Sequence, residues 1–412
     1  MRSGWVAVPF AALLACGGPD VEVPAPFKLS PPGAAGEKAI YGAFSTQGDA
    51  FALGVSTTNN SFYVWRSGQV VPIGRVANAA SSVLLEEGNA ALVVSDFAFV
   101  PSLGSAHAYA LSLQRGGATI WRRAVGSRSD DAPRVDVIGG LAFAPSARGR
   151  FVLDLATGRV VRELVGGSRR YTAVDLGGGL AAVAGDRLFV MRADTGAAVC
   201  DAAPLELWAT PWSLPPGVVA SDTKDVNRQL VSRVAADCTV TPVAQGAYPV
   251  PVDGGFALTV DRDAPNDVPL PSIVDGNPAR QQLVVFDPTG LPTRAIPLPV
   301  GTIIAAPTRN LSRAFLLIKG VGTSVLDVAT GADVATKQQR NFFSHASDDR
   351  QFLFFSSGAN LTSLDVATGA TVESNVVKVM GIFAGTLVVQ STGAYQRIAF
   401  DTLKPLDTVR IP

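Results

Sequence analysis

SVLDVATGADVA at residues 324–335 and TSLDVATGATVE at residues 362–373 are two copies of one phrase. Each is an apolar strand, an acidic turn ending in Thr-Gly, and a second apolar strand. The phrase recurs as FVLDLATGRVVREL from Phe151, FVMRADTGAAV from Phe189 and LVVFDPTGLPTRAIPL from Leu283. Looser versions are FYVWRSGQVVPI from Phe62, YALSLQRGGATIW from Tyr109 and IAFDTLKPLDTVRI from Ile398. LVSRVAADCTVTPVA from Leu230 occupies the same slot without a glycine. The turn has its own logic: Asp and Thr side chains satisfy turn amides, and glycine supplies the positive φ.

Turn glycines are evenly spaced. Gly117 to Gly158 is 41 residues, Gly158 to Gly196 is 38, Gly290 to Gly331 is 41 and Gly331 to Gly369 is 38. The interval of 94 from Gly196 to Gly290 holds two units and an insertion. A period near 40 with four short strands per unit predicts an all-β β-propeller. Nine units can be counted between residues 38 and 411, so about 7–9 four-stranded blades are expected. Alternation is poor in strands such as Arg187-Leu188-Phe189-Val190-Met191, as expected where both sheet faces pack on neighbouring blades. A pair of β-sandwiches is the alternative architecture, and the regular turn argues against it.

Composition agrees. The chain has 412 residues, 47% of them hydrophobic, with 41 Gly and 28 Pro punctuating it into short segments. Lys and Arg number 34, Asp and Glu 34, and the densest basic group is Arg162, Arg169 and Arg170. Such a balance lacks the clustered positive footprint of a nucleic-acid binder, so no nucleic-acid partner is expected.

Residues 1–15 have the layout of a secretory signal: Arg2, an apolar run from Trp5 to Leu14, then small Ala15. The run is too short to span a bilayer, and a short buried helix is the alternative. Leu13-Leu14-Ala15-Cys16 resembles the lipobox of bacterial lipoproteins. That resemblance implies a signal peptide over 1–15, acylation of Cys16, and a membrane partnership through the N-terminal lipid. Gly17 after the cysteine implies the outer membrane by the family's sorting rule. Residues 16–37 are rich in Gly, Pro and Ala and read as a flexible tether, leaving 38–412 as the propeller domain.

The LDxATG phrases resemble the quinoprotein-dehydrogenase-like (PQQ-like repeat) propellers. In the best-known branch of that family a tryptophan four residues after the turn glycine docks adjacent blades. Trp121 retains it, whereas Arg162, Cys200, Arg294, Ala335 and Glu373 fill the other slots. No cofactor is therefore expected. The resemblance extends to an outer-membrane lipoprotein propeller that scaffolds barrel assembly, which implies a protein partner at the cell envelope.

Few residues carry recognisable chemistry, and no catalytic residue is assigned. Cys200 and Cys238 are an even pair in an exported chain, so a disulfide stapling adjacent blades is expected, with two free thiols as the alternative. His107 and His345 are the only histidines. Either could serve as ligand or base, though a hydrogen-bonded or exposed imidazole is the commoner case. Asp261, Asp263 and Asp267 alternate as calcium ligands can, without the glycine and terminal glutamate of a calcium loop, so turn and solvation roles come first. Asp130-Asp131 and Asp348-Asp349 read as ordinary turns. The leading functional expectation is a protein-binding or scaffolding module, with a partner surface sought first in the loops near 96–108 and 261–282. A propeller hydrolase, lyase or oxidoreductase with its site in the axial channel is the rival reading.

Overall fold

In the computed structural model the described residues run from 40 to 409. Residues 42–45, 57–58, 77–78, 100–106, 128–134, 147–148, 166–171, 185–186, 203–213, 223–228, 262–280, 319–320, 338–344, 358–359, 377 and 392–393 lie outside the description. The protein is all-β and its eight sheets are the blades of a β-propeller. We number them in chain order: blade 1 spans residues 40–75, blade 2 residues 79–127, blade 3 residues 136–165 and blade 4 residues 172–202. Blade 5 spans residues 218–297, blade 6 residues 302–337, blade 7 residues 345–375 and blade 8 residues 378–409. Six blades are four-stranded antiparallel meanders, and blade 1 adds a short strand, Thr46–Gln47. By contacts the chain divides into two compact units, one holding blades 1–3 and the other blades 4–8.

Nine sequence units yield eight sheets because blade 5 contains two of them. Its central strand, Val240–Val252, pairs through its first half with Gln229–Val234 and through its second half with Gly255–Asp261. The register breaks between Ala247 and Val250, with Tyr248 at φ +57°. Gly246 permits this switch of partners, since a Cβ there would fall 2.2 Å from the carbonyl oxygen of Thr259. The outer strand of one unit thus continues through this irregularity into the inner strand of the next.

The strands bury both faces, as their composition demands. In blade 2, Ala91 and Val93 join the cluster formed with Phe62, Val64 and Ile73 of blade 1. Their neighbours Ala90, Leu92 and Val94 face the opposite way, into a cluster with Ala142 and Leu153 of blade 3. Leu188 to Met191 are likewise all buried. A sheet with two apolar faces has no stable solution alone, so stacking against neighbouring blades supplies the core.

The turns behave as their residues dictate. Asp327 Oδ1 accepts the backbone N–H of Thr330 at 2.9 Å and its hydroxyl at 3.0 Å, while Gly331 N–H donates to the Asp327 carbonyl at 2.8 Å. Asp154 and Asp287 repeat the pattern, their carboxylates accepting from Thr157 and Thr289. Gly158, Gly290, Gly331 and Gly369 all take positive φ. The residue after the aspartate then ties the turn inward: Leu155, Val328 and Val366 donate N–H to Gly140, Ser312 and Gln351 carbonyls.

Candidate functional site

The larger described cleft, about 520 Å³, lies wholly within the second compact unit. Its walls come from blades 5, 6 and 7: Leu214, Pro215 and Pro216 before strand Val218–Asp222, Pro251 and Pro288, and the turns carrying Arg309 and Asp348. Proline is suited to such a wall, because its ring fixes the backbone and offers apolar surface without an N–H to satisfy.

Three turns far apart in sequence are tied side by side. Asp253 N–H donates to the Arg309 carbonyl at 2.8 Å, and Arg309 N–H to the Asp349 carbonyl at 2.9 Å. Each turn is also shaped from within. Asn310 Oδ1 accepts from Ser312 N–H at 3.1 Å, and Asp349 Oδ1 accepts from Gln351 N–H at 3.0 Å and the Ser347 hydroxyl at 2.6 Å. These are the local side-chain-to-backbone bonds that Asn, Asp and Ser make in turns.

Arg350 locks the assembly from below. It is 7% exposed, and its Nε donates to the Pro307 carbonyl at 2.6 Å while a terminal nitrogen donates to the Pro251 carbonyl. One guanidinium of blade 7 is therefore joined to blades 5 and 6. Burial, followed by the neighbouring Arg309 charge among the lowering influences, brings Arg350 down to about 10, so it is still a cation at neutral pH. Burial raises the neighbouring Tyr248 phenol well above its ordinary value, and that group stays neutral. At the rim, Arg309 and Asp253 approach to 3.5 Å with both side chains more than half exposed. Such a pair holds its partners weakly and leaves Arg309 able to exchange Asp253 for an incoming carboxylate.

Apart from Asp348-Asp349, the residues singled out from sequence fall elsewhere. Cys200 and Cys238 lie at disulfide distance, with Sγ atoms 2.00 Å and Cα atoms 5.9 Å apart, joining the outer strand of blade 4 to a turn of blade 5. Half-buried His345 pairs with Phe354 in blade 7, and burial lowers its imidazole pKa. His107 begins strand His107–Arg115 in the other compact unit. Asp261 ends strand Gly255–Asp261 opposite Gln281, whereas Asp263, Asp267 and Cys16 lie outside the described residues. Among the described residues no group of three or more His, Cys, Asp or Glu is placed to hold a metal.

Of the two loops expected to carry a partner surface, 96–108 begins and ends in strand, with Asp96 paired to Tyr109 and Phe99 to His107, while 100–106 lie outside the description. Residues 262–280 of the other also lie outside the description. Asp348-Asp349 are turn residues as expected, but the turn's place beside Arg309 and Asp253 had no signal in the local sequence. Arg350 was missed for the same reason.

Fold and turn pattern define a β-propeller. No protein-family model and no curated protein matches the chain. Among solved structures it is similar to the computationally designed Ika8 protein, at 12% identity and a TM-score of 0.39, covering 91% of this chain and 97% of that one. It is also similar to BamB from Moraxella catarrhalis, at 13% identity and a TM-score of 0.41, covering 82% and 92% of the two chains. A third is the dihydro-heme d1 dehydrogenase NirN, at 14% identity and a TM-score of 0.41, covering 73% and 70%. At such identities and scores the likeness says nothing of activity or partners.

Proposed function

We propose that this protein is an exported β-propeller, anchored in the bacterial outer membrane by a lipid on Cys16, that binds a protein partner in the cleft of its second compact unit. The cleft is the observation that carries the reading. Its proline walls, exposed Arg309 and turn-to-turn hydrogen bonds make a preformed surface that an extended, acidic segment fits without reshaping it. Support for export comes from the signal-like residues 1–15 and from the Cys200–Cys238 pair, since disulfides persist in oxidising compartments.

Affinity capture from native membranes tests both halves. Wild type, Cys16→Ala and Arg309→Glu are compared, with intact-mass measurement of each. Wild type is expected to carry the acyl mass and retain a specific protein that Arg309→Glu loses while staying on the membrane. Cys16→Ala is expected to lose the acyl mass and leave the membrane. A wild type without lipid defeats the anchor, and a partner retained equally by Arg309→Glu defeats the cleft.

A further inference from the structure

A second cavity, about 290 Å³, lies wholly within the first compact unit, between blades 1 and 2. Its floor is both polar and buried. Ser95 and Ser112 are each 2% exposed and Gln114 only 1%. The Gln114 carboxamide is held at both ends: its Nε2 donates to Ser112 Oγ at 2.8 Å, and its Oε1 accepts from Thr119 Oγ1 at 2.9 Å. A carboxamide nitrogen has two hydrogens, and among the described residues only one of these has an acceptor.

The backbone of blade 1 makes room for this arrangement. A Cβ on Gly74 would fall 2.1 Å from Gln114 Oε1, so only glycine lets the carboxamide lie against that strand. Above the floor stand Arg75, Arg122, Asn59 and Asn60. The lining has two guanidinium groups and no carboxylate, and among the described residues neither arginine has an ion-pair partner. Arg122 is half-buried, and desolvation pulls its pKa below the ordinary arginine value. A cation taken partly out of water and left uncompensated is stabilised by any anion that reaches it.

We propose that this cavity binds a small carboxylate that also carries hydroxyl groups, a molecule of the size and chemistry of an acidic monosaccharide. Arg122 and Arg75 take the carboxylate; the remaining Gln114 N–H and the rim carboxamides take hydroxyls. The volume sits at the small end of ligand sites, which excludes a polymer lying along the blades from this pocket.

Titration calorimetry of the purified full-length chain with glucuronate and with glucose tests the assignment. Glucuronate is expected to bind saturably, with glucose at least about tenfold weaker, since the charge-assisted bonds are lost. Arg122→Gln is expected to weaken glucuronate about tenfold at an unchanged melting temperature. Arg75→Gln, at an exposed position where folding is not at stake, is expected to weaken it in the same direction. No saturable binding to the folded wild type overturns the proposal. So does equal affinity for glucose, or glucuronate affinity unchanged in a folded Arg75→Gln, Arg122→Gln double variant.

Discussion

The joint between blades 2 and 3 and the joint between blades 6 and 7 occupy the same place in the repeat and solve it with opposite chemistry. Trp121, four residues after Gly117, lies over Gly158 of the next blade. A Cβ on Gly158 would fall 2.5 Å from the indole, whose N–H donates to the Leu155 carbonyl at 2.9 Å. Ala335, four residues after Gly331, meets Gly369 instead, so closely that a Cβ on Gly369 would fall 2.2 Å from its own. One joint fills the gap with a ring and the other closes it by bringing backbones together. In both, the turn glycine serves twice, for its positive φ and for the approach of the preceding blade.

Other joints show how freely this slot is filled. Cys200 meets Cys238, and Arg294 donates to the Val328 carbonyl at 3.0 Å. Arg294 and Trp121 thus reach the same carbonyl of the repeat with unrelated side chains. At these four joints the slot touches the next turn, and the residue supplying the contact is aromatic, aliphatic, cationic or a sulfur.

The largest effect is expected at the sulfur joint. Cys238→Ser should lower unfolding stability by about 3–4 kcal/mol in guanidinium melts, and reductant should do the same to the wild type alone. A wild type indifferent to reductant would place that joint with the merely packed ones. Next comes Gly158→Ala, where overpacking against Trp121 adds to the positive-φ penalty for a total of about 3 kcal/mol. Trp121→Ala should cost about 2–3 kcal/mol, being half-buried rather than core. In the double variant the new methyl group occupies space the ring has left, so a double-mutant cycle should show a coupling of about 1 kcal/mol or more. Additive costs would mean that the ring does not rest on Gly158.

Gly331→Ala sharpens the comparison from the other side. Its φ is +71° but nothing lies within 4 Å of its Cβ position, so the cost should be the conformational one alone, about 1–2 kcal/mol. The smallest effect is on pH. Hydrogen bonds from the turn threonines hold the Asp154, Asp287 and Asp327 carboxyls below the usual carboxylate range. Their stabilisation is present above the unfolded pKa of about 4 and is lost as pH falls through the lower folded values, so the melting temperature should drop only below about pH 4. Replacing all three by Asn should flatten that drop.

Much of this was legible in residue order. The Asp, Thr and Gly of each turn act across four or five positions, so their hydrogen bonds and the sign of φ follow from local chemistry. The period near 40 then implies blades. The apolar run Leu188–Met191, with its poor alternation, told that both faces would be covered. The Cys200–Cys238 pairing was likewise expected from sequence, because these two remain as an even pair once Cys16 is set aside with the signal-like N-terminus.

Tertiary structure decided the rest. That nine repeats make eight sheets depends on Gly246 and the register break at Tyr248, where one strand changes partners and keeps two repeats in a single sheet. The slot four residues after each turn glycine could be named from sequence, but its partner could not, since the partner lies on another blade. Both clefts have the same origin. Arg350 reaches a carbonyl 99 residues away at Pro251, and Gln114 lies against Gly74 only because two blades stack. Turn chemistry is short-ranged and written into neighbouring residues, whereas a cleft is made by whichever turns the stacking of sheets brings together.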